Sequence, residues 1–256
     1  MEFGGYLTML YLLSQVFSTS IVFGLNAPQK DNGYVTVLVT GASSGIGKSV
    51  VMEFAKSPKY RVWATMRSLS SWTEPRTDNI ELAAMDVTSD SSVAATVAAM
   101  IQKEGRIDIV VNNAGYGIVG CLEAVSIEAA KDLFEVNVWG AVRVLQAVLP
   151  HMRKQKSGHI IAVSSIAGMR GIPAYEFYTG SKFALEGIMD SMRYTLYPYN
   201  IHVTNVSPGP VKTGFLNRVS RIPAGESRHV VDDTEEYISG YRDLAISDFS
   251  KYALFL

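Results

Sequence analysis

Short runs rich in β-branched residues alternate with longer, helix-length segments along most of this 256-residue chain. The runs are 34–40, 60–65, 80–85, 107–111, 159–163 and 201–206, and the longer segments include 45–56, 89–103, 127–153 and 177–197. Strands that alternate with crossover helices form parallel sheets covered by helices on both faces. The sequence therefore predicts an α/β fold with a single doubly wound parallel sheet.

Composition and charge exclude several classes of protein. With 23 Lys and Arg against 24 Asp and Glu, the formal net charge is −1, so the chain lacks the basic field that nucleic-acid binding requires. Cys121 is the one cysteine and the 4 histidines are scattered, so we expect neither a disulfide framework nor a metal site. Apolar residues make up 48% of the chain, which is typical of a folded domain.

The amino-terminal segment, residues 1–27, differs in character from the rest of the chain. No residue from Phe3 to Gln29 is charged, but polar residues interrupt the apolar run and no basic residue precedes it. Three interpretations stay open: a membrane anchor, a cleaved secretory or organelle-targeting peptide, and an extension packed on the domain. We expect membrane association or targeting through residues 3–27, and a cytoplasmic protein if this segment is not functional. Residues 28–33 are interpreted as a polar linker.

A glycine-rich turn follows the first predicted strand and opens the first predicted helix. It reads Thr40-Gly-Ala-Ser-Ser-Gly-Ile-Gly47, with glycines at 41, 45 and 47. In a Rossmann-type sheet such a turn lets the backbone approach a pyrophosphate, and the helix amino terminus supplies free N–H groups and a positive dipole end. The alternative is a plain glycine-rich turn. Its place after the first strand favours a dinucleotide site.

The end of the second predicted strand indicates which dinucleotide is bound. A carboxylate there would bind an unphosphorylated ribose, but the sequence has Thr65-Met-Arg67. The Arg67 guanidinium can pair with a 2′-phosphate; the alternative is a solvated surface arginine. We therefore predict NADP as the cofactor, with NAD also allowed, and Ser44 and Lys48 as assisting groups.

Candidate acid/base chemistry is concentrated in Tyr178-Thr-Gly-Ser-Lys182. Residues four apart share one face of a helix, so the Lys182 ammonium is expected beside the Tyr178 phenol. A nearby positive charge favours the phenolate and lowers the pKa of a tyrosine toward the working range of an acid/base catalyst. Taken alone, the pair would more often be ordinary helix-surface residues.

The order of the motifs along residues 34–215 resembles the short-chain dehydrogenases/reductases, and more narrowly their 17β-hydroxysteroid and retinol dehydrogenase branch. The motifs are Thr40-Gly-x-x-x-Gly-x-Gly47, Asp86-Val87, Asn112-Asn-Ala-Gly115, Asn137, Ser164-Ser165, Tyr178-x-x-x-Lys182 and Pro208-Gly209. The resemblance implies that residues 34–256 form one dinucleotide-binding oxidoreductase domain. Family members usually continue with another helix and strand, so the final strand of the sheet is expected to be absent here.

The resemblance also implies a role for each motif residue. Tyr178 would exchange the substrate proton, Lys182 would lower its pKa and bind the nicotinamide ribose, Ser165 would polarise the carbonyl, and Asn137 would continue a proton relay. The implied cofactor-binding residues are Gly41, Ser43, Ser44, Gly45, Ile46, Gly47, Arg67, Asp86, Val87, Asn113, Ala114, Gly115, Tyr178, Lys182, Pro208, Gly209, Val211 and Thr213. Alternatives remain for single polar residues: Asn137 as a structural amide, and Asp86 and Thr213 as caps.

The expected activity is hydride transfer between NADP(H) and a small lipophilic alcohol or its ketone or aldehyde. An apolar pocket lining is expected from Tyr116, Ile118, Val119, Met169, Ile172, Phe215 and Leu216. The rival hypothesis is a catalytically silent dinucleotide-binding redox sensor or scaffold. The resemblance further implies a homodimer or homotetramer that pairs through the helices near 127–153 and 177–197.

Overall fold

The computed structural model describes residues 33–209 and the backbone of Ser220 and Arg221. Residues 1–32, 210–219 and 222–256 therefore fall outside the described residues, and with them the predicted cofactor residues Val211 and Thr213. The expectations that rest on them, including the absent final strand, stay predictions. Within the described part, no helix is long and apolar enough to cross a membrane.

The described strands form two sheets. Their bounds are β1 (Val35–Val39), β2 (Tyr60–Met66), β3 (Ile80–Ala84), β4 (Ile109–Asn112), β5 (Ile118–Val119), β6 (Gly158–Val163), β7 (Ile201–Val206) and β8 (Ser220–Arg221). The main sheet is parallel throughout, in the order β3-β2-β1-β4-β6-β7, and β5 pairs with β8 separately. All six predicted strands are confirmed, and so is the doubly wound α/β fold class.

The helices lie between these strands in chain order. Their bounds are α1 (Gly45–Ala55), α2 (Asp90–Glu104), α3 (Ile127–Phe134), α4 (Ala141–Gln155) and α5 (Glu176–Leu196), with a π-helical turn at Glu135–Gly140 and 3₁₀ turns at Leu69–Ser71, Ile166–Gly168 and Tyr197–Tyr199. Local sequence sets some of these ends. The Ser89 hydroxyl accepts the Ser92 N–H at the start of α2, and Gly105 ends the same helix at φ +71°.

Two apolar layers cover the sheet, one on each face. In β1, Leu38 packs into the layer that holds α2, α4 and α5, whereas Val37 and Val39 pack into the layer that holds α1. All three side chains are fully buried, and each such burial contributes about 1.5–3 kcal/mol. This two-sided burial explains why residues 37–39 of β1 are a continuous apolar run rather than an alternating one.

Two features of the chain differ from the sequence prediction. The segment 127–153, predicted as one helix, is divided by the π-helical turn at Glu135–Gly140 into α3 and α4. The short pair of β5 and β8 was not predicted, because a two-residue strand carries no periodic signal. π-helical turns occur often at functional sites, and this one holds Asn137.

Candidate active site

A cleft of about 800 Å³ lies at the carboxyl ends of the parallel strands. From β1 the chain proceeds to β2 and β3 on one side, then returns to β4 on the other side of β1. The strand order reverses between β1 and β4, and open α/β sheets bind their ligands at such a switch point. Residues that follow β1, β2, β4, β6 and β7 all line this cleft.

The glycine turn after β1 is built by close backbone packing. Gly41 has φ +65°, a conformation that L side chains rarely adopt, and a Cβ there would lie 2.8 Å from the Ala114 Cα. At Gly47 a Cβ would lie 2.5 Å from the Gly41 carbonyl oxygen and would also collide with the Asn113 amide nitrogen. The glycines therefore let α1 start directly against the ends of β1 and β4.

Asn113 and Thr40 hold this turn in place. The Thr40 hydroxyl accepts the backbone N–H groups of Asn113 at 3.0 Å and Ala114 at 2.9 Å. In return, the Asn113 amide donates to the carbonyl oxygens of Thr40 at 2.9 Å and Gly41 at 3.2 Å. Asn113 thus lines the cleft and, through its side chain, fixes the shape of the glycine turn.

An unpaired hydroxyl indicates that this turn fits a phosphate group. Among the described residues, the buried Oγ of Ser44 has no hydrogen-bond partner, although Ser44 occupies the N-cap position of α1. A buried polar atom without a partner costs about 1–3 kcal/mol. Ser44 also lines the cleft, so the residues present fit the pyrophosphate of a dinucleotide at the helix amino terminus.

Arg67 and Asp86 lie at the far end of the cleft, after β2 and β3. The Thr88 N–H donates to the Asp86 carboxylate at 2.9 Å, and this bond is the main cause that holds the pKa of Asp86 below its usual value, with a smaller contribution from the Arg67 charge. Arg67 is exposed and lines the cleft, which leaves its guanidinium accessible. The Lys48 ammonium pairs with Glu74 at 2.6 Å, and Lys48 does not line the cleft, so its assisting role stays a prediction.

Ser165 and Tyr178 meet at the opposite end, beyond β6. Ser165 begins the 3₁₀ turn Ile166–Gly168, and its hydroxyl accepts the Ala167 N–H at 3.1 Å. The Ser165 hydroxyl acts to lower the pKa of the Tyr178 phenol, but burial outweighs this effect and raises that pKa to about 12. Tyr175 packs edge-on against Tyr178, with ring centroids 6.0 Å apart. The phenol therefore keeps its proton at neutral pH.

Lys182 lies behind Tyr178 on the same face of α5. Its Nζ is 5.7 Å from the centre of the Tyr178 ring and donates to the Val163 carbonyl oxygen at 3.0 Å. Burial lowers the pKa of Lys182 to about 8, and the Glu186 charge opposes this shift. The spacing prediction places the two side chains together correctly. The expected lowering of the tyrosine pKa by the lysine is wrong for the protein alone, because burial dominates at both groups.

Asn137 connects the π-helical turn to α5, the helix that holds Tyr178 and Lys182. Its amide nitrogen donates to the Tyr116 carbonyl at 2.9 Å and to the Ser181 hydroxyl at 3.1 Å, and its oxygen accepts the Tyr116 N–H at 3.0 Å. The side chain is 1% exposed and does not line the cleft. The arrangement matches the structural-amide alternative, while the relay role stays a prediction.

The structure brings most of the predicted site residues into one cleft. These are Gly41, Ser43, Ser44, Gly45, Ile46, Arg67, Asp86, Val87, Asn113, Ala114, Gly115, Ser165, Tyr178, Lys182, Pro208 and Gly209. Gly47 does not line it and acts through close packing instead. Of the predicted pocket lining, Tyr116 lines the cleft, whereas Ile118, Val119, Met169 and Ile172 do not. Ile118 and Val119 are buried in the core beside α3, and Met169 is 70% exposed. Phe215 and Leu216 fall outside the described residues.

Sequence reasoning missed several residues of the lining. They are Met66, Met85, Thr88, Asp132, Glu135, Val136, Val163, Ser164 and Tyr175. Most of them are next to a motif residue at the end of a strand, and that position could have identified them as cleft residues. Asp132 lies near the end of α3 and Glu135 begins the π-helical turn, so both come from the segment 127–153, where no motif marks them.

Comparisons with known proteins agree with this site. The family model for short chain dehydrogenases matches residues 35–222. Human retinol dehydrogenase 8 is 39% identical over 219 residues, which cover 82% of this chain and 68% of that protein. Human 17-beta-hydroxysteroid dehydrogenase type 1 is 38% identical over 210 residues, which cover 78% of this chain and 62% of that protein. The chain thus spans about two thirds of the length of these relatives.

The fold is likewise similar to that of a solved structure. The structure of ElxO with NADP bound superposes with a TM-score of 0.66 at 31% sequence identity, covering 72% of this chain and 77% of that one. The matched family model spans all six strands of the parallel sheet. The chain therefore belongs to the short-chain dehydrogenase family of oxidoreductases, and within that family it is similar to retinol and 17β-hydroxysteroid dehydrogenases.

Proposed function

We propose that the chain is an NADP(H)-dependent oxidoreductase that interconverts a lipophilic alcohol and its ketone or aldehyde. The observation that carries the proposal is that Ser165, Tyr178 and the buried Lys182 line one cleft, with the Lys182 Nζ 5.7 Å from the centre of the Tyr178 ring. These groups lie in the same cleft as the glycine turn after β1. A proton donor and a dinucleotide-shaped turn in one cleft are what carbonyl reduction requires.

A bound nicotinamide supplies the hydride in this chemistry. The chain's own residues act on the reacting oxygen. In reduction the Tyr178 phenol donates its proton to the carbonyl oxygen while the Ser165 hydroxyl donates a hydrogen bond to the same atom; in oxidation Tyr178 accepts the proton back. Because its pKa is about 12, Tyr178 rests in the protonated form that reduction uses. Lys182 supplies the positive charge that stabilises the phenolate as it forms.

NADP is proposed over NAD because of the residues at the end of β2. Arg67 is exposed, lines the cleft and follows the strand where a carboxylate would select the unphosphorylated ribose. The solved structure of ElxO holds NADP. Asp86 lies near Arg67, but the Thr88 N–H and hydroxyl bond its carboxylate, which leaves the guanidinium available for a phosphate.

The lipophilic substrate class follows from the relatives and from the aromatic side of the cleft. Retinol dehydrogenase 8 and 17-beta-hydroxysteroid dehydrogenase type 1 are named for apolar alcohols. Tyr116 and Tyr175 line the cleft beside Tyr178 and present aromatic surface to a substrate. Asp132 also lines this cleft, so we expect it to disfavour anionic substrates.

The experiment that tests the proposal is NADPH oxidation by the purified chain with a panel of retinoid, steroid and short aliphatic carbonyls. We expect turnover that increases with the apolar surface of the carbonyl compound. Tight NADPH binding with no turnover on any member of the panel would favour the silent redox-sensor alternative. Turnover with NADH but none with NADPH would refute the cofactor assignment.

We also propose that residues 3–27 attach the protein to a membrane or are removed in cells, since Phe3 to Gln29 carry no charge. The remaining chain is proposed to act as one oxidoreductase domain from residue 34, joined through the linker at 28–33. Cell fractionation with intact-mass analysis tests this. An intact full-length chain found free of membranes would contradict it.

A homodimer or homotetramer is proposed from large apolar side chains on two helical segments. Trp139 in the π-helical turn is 52% exposed, and on α5 Phe183 is 46% and Tyr194 is 82% exposed. Exposed aromatic side chains on neighbouring helices are typical of protein interfaces. Light scattering after size-exclusion chromatography tests the proposal, and a monomer at micromolar concentration would contradict it.

A further inference from the structure

Two backbone hydrogen bonds join the chain after β6 to the chain after β7. The Ser164 N–H donates to the Val206 carbonyl at 2.8 Å, and the Ile166 N–H donates to the Pro208 carbonyl at 3.0 Å. Ser165 lies between the two donors, and Ser207 lies between the two acceptors. The segment that carries the Ser165 hydroxyl is therefore held directly by the segment that leads into the cleft residues Pro208 and Gly209.

Glu186 contacts both of these segments from α5, the helix that holds Tyr178 and Lys182. The Ser207 hydroxyl donates to the Glu186 Oε1 at 2.7 Å. At the buried Gly168, in the turn that follows Ser165, a Cβ would lie 2.9 Å from the Glu186 Cγ and 2.7 Å from the Ser164 Oγ. Glu186 thus contacts the turn after β6 through its side-chain methylene groups and the loop after β7 through its carboxylate. It does not line the cleft.

The same carboxylate acts on the charge of Lys182, one helical turn earlier. The Glu186 charge opposes the lowering of the Lys182 pKa by burial. The titratable groups around Lys182 on its own helix are Tyr178 and Glu186. Among the described residues, β6 presents the Val163 carbonyl oxygen, and the Gly115 turn and Asn137 present groups that do not titrate.

We propose that Glu186 is a positioning residue for the reaction, which fixes the Ser165 turn and the loop after β7 against the helix that carries Tyr178 and Lys182. This inference rests on the proposed function. Three variants separate its two effects. Glu186→Gln keeps an oxygen that accepts the Ser207 hydroxyl but removes the charge, Ser207→Ala removes the hydrogen bond but keeps the charge, and Glu186→Ala removes both.

A control comes from the same helix. Asp190 is a carboxylate one turn beyond Glu186, and it accepts an amide hydrogen bond from Asn205 of β7 at 3.4 Å. It therefore lies on the same helix as Glu186 but bonds β7 itself rather than the loop that follows it. Asp190→Asn is expected to change none of the readouts below by more than about twofold, since exposed polar pairs contribute little.

The first readout needs neither cofactor nor turnover. In the full-length chain, amide hydrogen exchange of Ser164 and Ile166 should become roughly tenfold faster in Glu186→Ala and Ser207→Ala, the effect of losing one charge-assisted hydrogen bond. Glu186→Gln should stay within about threefold of wild type, because a neutral acceptor restores most of the bond. Unchanged exchange in all three variants would overturn the proposal.

The second readout is kinetic. We expect Glu186→Ala and Ser207→Ala to lower kcat for carbonyl reduction roughly tenfold and to weaken NADPH binding, which is measured by fluorescence titration, by a similar factor. The decline of kcat/KM at alkaline pH, which follows loss of the Lys182 proton, should move to lower pH in both Glu186 variants and stay in place in Ser207→Ala. A fall in melting temperature with kcat, the NADPH Kd and the pH profile all unchanged would overturn the positioning role.

The outcomes also distinguish this inference from the proposed function. Absence of turnover in the wild-type chain on the whole carbonyl panel overturns the proposed function itself. Turnover in wild type with unaltered kinetics in Glu186→Ala overturns only the role of Glu186. The role is supported if Glu186→Gln keeps amide exchange and NADPH binding close to wild type while the alkaline decline of its kcat/KM moves to lower pH.

Discussion

The two ends of the cleft are constructed in different ways. The end formed by residues 40–47 and the chain after β4 depends on the backbone: glycines at positive φ or in close contact, and the hydroxyl and amide of Thr40 and Asn113 bonded to main-chain groups. The end formed by Ser165, Tyr178 and Lys182 depends on buried side chains from separate elements, β6 and α5. The first end depends on the absence of side chains that would collide with the backbone, and the second depends on the burial and charge around ionisable side chains.

This difference predicts how each end responds to substitution. At the glycine end, any added side chain changes the shape of the turn, so binding and folding should change together. At the catalytic end, removal of the Tyr178 oxygen leaves the packing almost intact, so the rate should change while cofactor affinity does not. Mutations that separate affinity from rate therefore test the assignment of the two ends.

The largest effect is expected for Tyr178→Phe. The substitution removes the phenolic oxygen but keeps the ring that packs against Tyr175. General acid/base groups contribute typically 10²–10⁴-fold, so we expect kcat for carbonyl reduction to fall by about that factor while NADPH affinity stays within about twofold. Steady-state kinetics with fluorescence titration measure both. More than about a tenth of the wild-type rate in the variant would refute the role of Tyr178.

A smaller and opposite pattern is expected for Arg67→Asp. A charge-assisted pair with a 2′-phosphate contributes about 1.5–3 kcal/mol, so NADPH affinity should fall roughly tenfold to a hundredfold or more, and the preference should shift to NADH. The hydride-transfer rate at saturating cofactor should hardly change, since Arg67 lies far along the cleft from Tyr178. Equal binding of NADH and NADPH by the unmutated chain would show that Arg67 does not choose the cofactor.

Substitution of the packed glycine tests the backbone end directly. In Gly47→Ala the new Cβ collides with the Gly41 carbonyl oxygen and the Asn113 amide, and overpacking of this kind costs about 1–3 kcal/mol of folding stability. We expect weaker NADPH binding together with a lower melting temperature. Gly187→Ala on α5 is the matched control, because nothing lies within 4 Å of a Cβ there; it should leave stability unchanged or raise it slightly. Equal behaviour of the two variants would contradict the packing role of Gly47.

The smallest effect is expected along a series of substrates. Each buried methylene contributes at most about 0.8 kcal/mol, so kcat/KM should rise by up to about fourfold per carbon in a series of aliphatic ketones or aldehydes until the cleft is full. Because substrate length acts at the catalytic end, the NADPH Kd should not change. A flat series, or preference for charged or sugar-like carbonyls, would refute the lipophilic substrate class.

The sequence predicts the backbone end of the cleft better than the catalytic end. Six strands and the glycine turn follow from apolar runs and turn residues, because those patterns are local. The i, i+4 spacing also places Tyr178 beside Lys182 correctly. The pKa of Tyr178 is not predictable in this way, since burial raises it to about 12 and outweighs the opposite effect of Ser165.

Tertiary contacts decide the remaining differences. The π-helical turn around Asn137 has no periodic signal, and its first residue, Glu135, lines the cleft. Ile118 and Val119 are apolar residues next to a motif, but their neighbours in the fold bury them in the core. Lys48 is basic and near the glycine turn, but Glu74 neutralises it from a loop 26 residues away.

The most direct test of the separation between the two ends is one paired measurement on wild type, Tyr178→Phe and Arg67→Asp. Single-turnover hydride transfer is followed by the loss of NADPH absorbance at saturating cofactor, and the NADPH Kd is determined on the same samples. We predict that Tyr178→Phe lowers the hydride-transfer rate and leaves the NADPH Kd unchanged. Arg67→Asp should leave the rate unchanged and raise the NADPH Kd. A parallel loss of both quantities in either variant would contradict this account.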